Sequence, residues 1–510
     1  MKNLRVLFAL TLGAIMFASM GLSSSVVGAP TQSTFEVVMP WGLDHPRGQI
    51  IQSMIENHST IGSKYTFTYT QVGGGPSDRA SLVGRFLAGD YPNLIIVTQD
   101  WYTEWAQFGI WHDFSTEINA WSGDQAGWRT DIPAGWWSIL DQDKGDGTGT
   151  GISALPFYGQ SILPYVNLND LETANVELSD LDTLVGFMEA ADKLDDAELT
   201  PFAQVGLLQS DIAYMNYMFA STDNFVNSST DPATVFSWDT ANKYGVNGSL
   251  SVEGFAAYLK LKGEGWVPET VDTDGGGEVN GIFGAGAASM VLVGPWGTGI
   301  FTDAGLGATD FTAIPMPKTS DGVRSTITGG GISFVPTGVQ SAALEADAVA
   351  LAEWLLDDEN QMKTVENWLD ESWRIPVRQS LKTNAWFTDS AHLERSNFVT
   401  HIESQVYAFA WGRQHPQWIS THEDIMMPGY RNALLDVEWN KGYSDDWYTD
   451  KAQAALDQMA ADIQCFKLGG PCVDVEAPST GGAPGFELAV TSFTIVLFGV
   501  MVLLRRKKRT

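Results

Sequence analysis

The sequence predicts an α/β chain divided into two lobes. Length is the first reason: 510 residues, 44% of them hydrophobic and 11% aromatic, exceed what one ordinary core encloses. The second is the order of patterns in residues 35–97: strand, helix, strand, helix, strand, the grammar of a mainly parallel sheet with covering helices. The third is that strand and helix patterns resume in residues 181–463.

Residues 1–29 open with Lys2 and Arg5, continue through apolar residues 6–18 and end in small residues around Val27-Gly28-Ala29. That is the pattern of a secretory signal peptide or, left uncleaved, of an N-terminal anchor. Residues 35–39 form a short apolar run stopped by Pro40, as a buried strand would be. Residues 48–57 carry Ile50, Ile51, Met54 and Ile55 at helical spacing, and residues 65–72 alternate Tyr65, Phe67 and Tyr69 with threonine, as a strand does. A short helix over 82–87 leads to a buried strand over 93–97. Ligands of such sheets bind in the loops beyond the strand C-termini. Those loops are residues 40–47, which carry Trp41 and Asp44, and 98–105, which carry Asp100, Trp101, Tyr102 and Trp105. Further on, 181–194 and 252–261 read as helices, and 287–293, 311–314 and 331–335 as strands. Residues 342–356, 360–369, 425–436 and 450–463 read as helices again.

The C-terminal end has its own logic. Residues 486–504 are expected to be a transmembrane anchor, because 488–504 is uncharged and mostly apolar, near the shortest run that spans hydrocarbon. The tail 505–510 begins Arg505-Arg506-Lys507-Lys508-Arg509 and would stay cytoplasmic. Residues 476–485 have linker composition. With the signal peptide, this places residues from about 30 to 477 outside the cell. The Pro-Gly-Phe-Glu entry to the apolar run also resembles archaeal C-terminal sorting signals, in which the helix is exchanged for a lipid. Cys465 and Cys472 are the only cysteines, and outside the cell a local disulfide is the expectation.

The charge balance narrows the partners. Twenty-nine Lys and Arg against 61 Asp and Glu give a net charge of −32, which repels phosphate backbones, so no nucleic-acid partner is expected. The sequence holds no Gly-x-Ser-x-Gly elbow, no His-Glu-x-x-His and no phosphate-binding loop, so neither a catalytic residue nor a cofactor is expected. The stretches beginning at Asp141 and at Asp272 look faintly like calcium loops but lack the ligand register, so Asp-Gly turns are favoured and no metal is expected. What stands out is 19 tryptophans, many in loops. A flat aromatic face receives the apolar face of a pyranose while planar polar side chains bond its hydroxyls; a core role is the competing account of each Trp.

Several short motifs point one way. Gly89-Asp90-Tyr91-Pro92-Asn93 leads into the 94–97 strand and on to Asp100-Trp101-Tyr102. Leu155-Pro156-Phe157-Tyr158-Gly159-Gln160 precedes Asn167-Leu168-Asn169-Asp170-Leu171. Phe283 to Met290 leads to Gly294-Pro295-Trp296, and Ile314-Pro315-Met316-Pro317 to Gly329-Gly330-Gly331. Gln361 is followed by Ile375-Pro376-Val377-Arg378. In this order they resemble the family 1 extracellular solute-binding proteins, which include maltose-binding protein, from about Thr34 to Gln464. The loop from Trp41 to Asp44 follows the family only loosely, and Val166 stands where it has a tyrosine.

The resemblance implies the two-lobed periplasmic-binding-protein fold of type II, with an N-lobe of 34–155 plus 333–385 and a C-lobe of 158–328 plus 400–464. Hinge closure over a ligand follows from it, as does a partnership with the permease subunits of an ABC importer. The candidate ligand residues it implies are Trp41 and Asp44 in the first loop, Asp100 and Trp101 after the third strand, and Gln160 after the crossover. It adds Trp296 as stacking platform, and Tyr430 and Arg431 on a late helix, with a surface salt bridge the alternative for Arg431. The implied function is an extracellular receptor for a sugar or oligosaccharide. Two other readings stay open: a membrane-anchored carbohydrate-active hydrolase, and the same receptor fold serving a non-sugar solute.

Overall fold

The computed structural model describes residues 34–73, 76–143, 149–207, 248–322, 324, 326–366, 374–410 and 422–468. The expected signal peptide, Cys472, the expected 476–485 linker, the expected 486–504 anchor and the basic tail lie outside the described residues, as do the side chains of Asp100 and Cys465. Among the described residues no helix is long and apolar enough to cross a membrane.

The strands run in chain order: β1 (Thr34–Met39), β2 (Thr66–Gln71), β3 (Leu94–Thr98), β4 (Asp141–Asp143), β5 (Thr150–Ile152), β6 (Leu155–Ser161), β7 (Leu163–Asn167), β8 (Phe202–Ala203), β9 (Met290–Val293), β10 (Phe311–Ala313), β11 (Thr326–Phe334) and β12 (Ala408–Ala410). Among the described residues one sheet has the order β12-β11-β3-β1-β2, with β6 also on β11, and a second has the order β10-β7-β9-β8. The two sheets are the cores of two lobes.

The first sheet begins as the sequence predicts. β1 pairs parallel with β2 and with β3, because each return passes over a helix, Pro46–Glu56 or Pro76–Leu87. The first of these starts at Pro46 rather than at residue 48: His45 caps it, its ring nitrogen accepting from the Arg47 amide at 3.2 Å, and Pro46 supplies the fixed φ of a first helical turn. β3 is buried along Leu94-Ile95-Ile96-Val97. Its neighbour Phe334 of β11 packs on Tyr102, Trp105 and Trp111 at ring separations of 5.5, 5.7 and 4.7 Å.

The second sheet departs from the mainly parallel expectation. β7 is antiparallel to both β9 and β10, and only β8 and β9 are parallel. The reason is the path of the chain. β6 ends at Ser161, paired with Thr328 of the first sheet, and β7 starts at Leu163, paired with Val293 of the second. Ile162 alone separates them, so β7 leads directly away from the first lobe, and β9 and β10 return towards it. Residues 408–410, grouped by sequence with the second lobe, pair with β11 in the first sheet.

β11 is longer than the 331–335 strand the sequence suggests, and all nine of its residues are buried. Its Gly329-Gly330-Gly331 stretch permits a close approach to β6. A Cβ on Gly331 would stand 2.2 Å from the Tyr158 ring, and one on Gly330, at φ +146°, would stand 1.9 Å from the Tyr158 carbonyl oxygen.

Candidate binding cleft

Strand direction fixes where the cleft lies. In the first sheet Thr98, Gly331 and Tyr158 stand at one level, so the C-terminal end of β3 points towards the crossover at Ile162. β1 runs parallel to β3, so the loop after Met39 points the same way. In the second sheet Val293, the last residue of β9, pairs with Leu163. Gly294-Pro295-Trp296 therefore follows at the level of the crossover and meets the loops of the first lobe.

A row of rings and a guanidinium joins these loops. Trp41 and Tyr158 have ring centres 5.5 Å apart. The Arg374 guanidinium carbon is 5.8 Å from the centre of the Tyr158 ring and 4.7 Å from that of Trp296. At the first-lobe end the Arg47 guanidinium carbon is 4.8 Å from the Trp41 ring centre. Trp41, Arg374 and Trp296 are half-buried, as side chains lining a cleft are. The Trp296 ring lies over Gly294: a Cβ there would be 2.0, 2.3 and 2.4 Å from three consecutive ring carbons, which puts it above the ring face. Gly294 thus lets the indole lie flat on the backbone that carries it.

Of the residues singled out from sequence, Trp41 and Trp296 stand at the two ends of this row's ring series. Gln160 is half-buried on β6, two residues from Tyr158 and so on the same face. Asp44 is exposed in the loop that carries Trp41, its carboxylate folded over Gly42, where a Cβ would meet it at 2.4 Å. The backbone of Asp100 lies in the turn that directly follows β3.

Two candidates are not in the cleft. Trp101 is 2% exposed and packs on Trp105 at 5.2 Å, inside the first-lobe core. Tyr430 is 4% exposed and packs edge-on against Phe255 at 5.1 Å, inside the second-lobe core. Neither offers a face to a ligand, because apolar burial on the lobe side has taken both rings. Arg431 is half-buried, and its Nε is enclosed without a hydrogen-bond partner among the described residues.

Arg374 is the half-buried cleft residue that reading the sequence missed; Tyr158, 1% exposed, backs the row from within the core and offers no open face. Tyr158 could have been found from Gln160, because alternation puts both on one face. Arg374 had no such signal. It reaches the cleft through a bridge distant in sequence, in which the Gly159 amide donates to the Ile375 carbonyl at 2.6 Å and the Ile375 amide returns to Gly159 at 3.0 Å. Gln99, at the end of β3, accepts the Gly330 amide and so ties the cleft floor to the glycine run.

Beneath the row lies a buried polar cluster. His401 is fully buried, and its two ring nitrogens face Ser161 Oγ and the Tyr165 hydroxyl, each at 2.9 Å. Burial holds its pKa down to about 3, so the ring is neutral. Among the described residues no group of three His, Cys, Asp or Glu side chains is arranged to hold a metal ion.

Residues 57–395 match the family model of the bacterial extracellular solute-binding proteins. Solved structures share the fold. The MalE sugar-binding protein of Xanthomonas citri is 15% identical with a TM-score of 0.63, covering 86% of this chain and 100% of that one. The cyclic α-maltosyl-1,6-maltose binding protein of Arthrobacter globiformis is 17% identical with a TM-score of 0.62, covering 84% and 99%. Maltose-bound MalE3 of T. maritima is 15% identical with a TM-score of 0.60, covering 84% and 100%. No curated protein matches the chain by sequence.

Proposed function

We propose that this chain, which belongs to the bacterial extracellular solute-binding protein family, is the receptor of an ABC importer and takes a sugar or oligosaccharide between its two lobes. The row Trp41–Tyr158–Arg374–Trp296 carries the reading. A pyranose offers an apolar C–H face and a rim of hydroxyls, and this row sets the half-buried rings of Trp41 and Trp296 and the planar five-donor Arg374 over a buried Tyr158 ring. Trp296 would take the C–H face, Arg374 would bond ring hydroxyls in its plane, and Gln160, Asp44 and Asp100 would supply further polar contacts. The fold-sharing proteins from X. citri, A. globiformis and T. maritima are described as sugar-, cyclic maltosyl-maltose- and maltose-binding, which supports the same ligand class here. The role needs no reaction: closing the lobes excludes water, and a permease that recognises the closed form reads occupancy.

The tether and anchor complete the proposal. Residues 488–504 with the basic cluster after them would hold the lobes on the outer face of the membrane, and 476–485 would leave them free to close. The test is a panel of maltose, maltotriose, tagatose, spermidine and a tripeptide offered to the purified chain. Melting temperature is followed, and the sugars are then analysed by chromatography. A rise with a sugar that is recovered intact supports the receptor. Cleaved sugar means a hydrolase, and a rise with spermidine or the tripeptide alone moves the fold to another solute.

A further inference from the structure

The cluster around His401 does more than fill the core under the cleft. Tyr165 lies on β7, three residues past the crossover at Ile162, and its hydroxyl meets two partners: His401 Nε2 at 2.9 Å and Thr298 Oγ1 at 2.8 Å. Thr298 is the second residue of the helix Gly297–Asp303, and Trp296 immediately precedes that helix. On its other side His401 Nδ1 meets Ser161 Oγ, on the last residue of β6 in the first sheet. Ser404 closes the group, its hydroxyl oxygen 2.8 Å from both Ser161 Oγ and the His401 carbonyl oxygen. Ser161, Tyr165, Thr298, His401 and Ser404 are all at most 1% exposed.

Two routes therefore lead from the first sheet to Trp296. One is the chain itself, through Ile162 into β7 and across to β9. The other passes through side chains: Ser161, His401, Tyr165, Thr298. The second route is directional, because a neutral imidazole donates from one nitrogen and accepts at the other, and each partner must keep its place for both bonds to form. No other side chain presents two opposed ring nitrogens at this reach. The ring is fully buried, so bulk water does not compete for its nitrogens.

We infer that His401 is a positioning residue for the binding platform: through Tyr165 and Thr298 it fixes the start of the Gly297–Asp303 helix, and with it the stance of Trp296 relative to the first lobe. The inference rests on the reading that Trp296 lines the ligand cleft, but its test needs no ligand. Amide hydrogen exchange is measured on the full chain without sugar, for the unaltered protein and for Tyr165→Phe, His401→Gln, Thr298→Val and Thr298→Ser. Tyr165→Phe and Thr298→Val remove one hydroxyl each. Both are expected to speed exchange at residues 294–303 by about tenfold or more while β1 and β2 stay within about twofold, the mark of a local rather than a global opening. Thr298→Ser keeps the hydroxyl and should exchange as the unaltered chain does. His401→Gln breaks the two-sided bridge and should match Tyr165→Phe. Exchange unchanged at 294–303 in Tyr165→Phe and Thr298→Val overturns the inference, and so does a rise spread evenly over both sheets. If exchange rises locally but Trp296→Ala leaves sugar affinity intact, the ligand reading fails and the positioning role stands.

Discussion

Arg374 holds its guanidinium carbon 4.7 Å from the centre of the Trp296 ring, although 78 positions of chain separate the two residues. The contact joins a loop beside the first sheet to the loop that ends β9 in the second. It marks the line along which a ligand would touch both lobes at once.

Trp296→Ala removes the proposed platform and only edge packing, because the ring is half-buried, lies over Gly294 and touches the second-lobe core from its rim. Sugar affinity should fall by about tenfold or more, which is ~1.4 kcal/mol, with the melting temperature nearly unchanged. Calorimetry with the best sugar of the panel reads the affinity. An unaltered dissociation constant removes Trp296 from the site, and a large loss of thermal stability assigns it to the core.

Arg374→Ala should also weaken binding, and Arg374→Lys should restore only part of the loss. A lysine keeps the charge but not the planar fork that can bond two hydroxyls while lying on an aromatic face. Full recovery in the lysine variant would mean that charge alone matters there.

Gly330→Ala should damage the fold. The new Cβ would stand 1.9 Å from the Tyr158 carbonyl oxygen, and φ +146° is a backbone state that L side chains rarely adopt. A loss of roughly 2 kcal/mol or more is expected, read by urea denaturation. Gly84→Ala, on the exposed side of the helix Pro76–Leu87 where a Cβ meets nothing within 4 Å, is the control, and it should leave stability unchanged or raise it by up to about 1 kcal/mol.

His401 makes stability depend on pH in a defined direction. Burial lowers its folded pKa to about 3, whereas an unfolded histidine titrates near 6.5. Between those values the unfolded chain binds a proton that the folded chain refuses, so acid favours unfolding. Full stability from this group is present above about pH 6.5 and falls by about 1.4 kcal/mol for each pH unit below it, down to about pH 3. Urea melts at pH 7 and pH 5 should show a smaller pH-dependent loss in His401→Gln than in the unaltered chain. Equal losses would mean that His401 is protonated in the folded protein.

Ligand should bring the lobes together about the crossover at Ile162. Small-angle scattering of the full chain in detergent, with and without a saturating sugar, should show a smaller radius of gyration when bound. No change at saturation would mean that the lobes are already set in their final positions.

Much of the scaffold was legible along the chain. Apolar runs mark β1 and β3, helical spacing marks the helix after β1, and a glycine run marks the centre of β11. Gly294-Pro295-Trp296 after an apolar strand pointed to a ring at the edge of the second lobe. These features are local: strand pleat and helix pitch decide which side chains share a face, and both are written in periodicity. What periodicity leaves open is the object that each face meets. Trp41 and Trp101 both follow a first-lobe strand in loops of similar composition, yet one reaches the cleft and the other fills the core against Trp105. Only the packing of the lobe separates them. Tyr158 meets Arg374 because the Gly159–Ile375 bridge brings together segments more than 200 residues apart, and His401 spans two sheets because α-helical residues 396–404 lie across the crossover. The sequence by itself determined the elements and the family motifs. Tertiary structure decided which rings stand between the lobes and which fill a core, because burial of apolar surface is settled between elements and no single element carries that information.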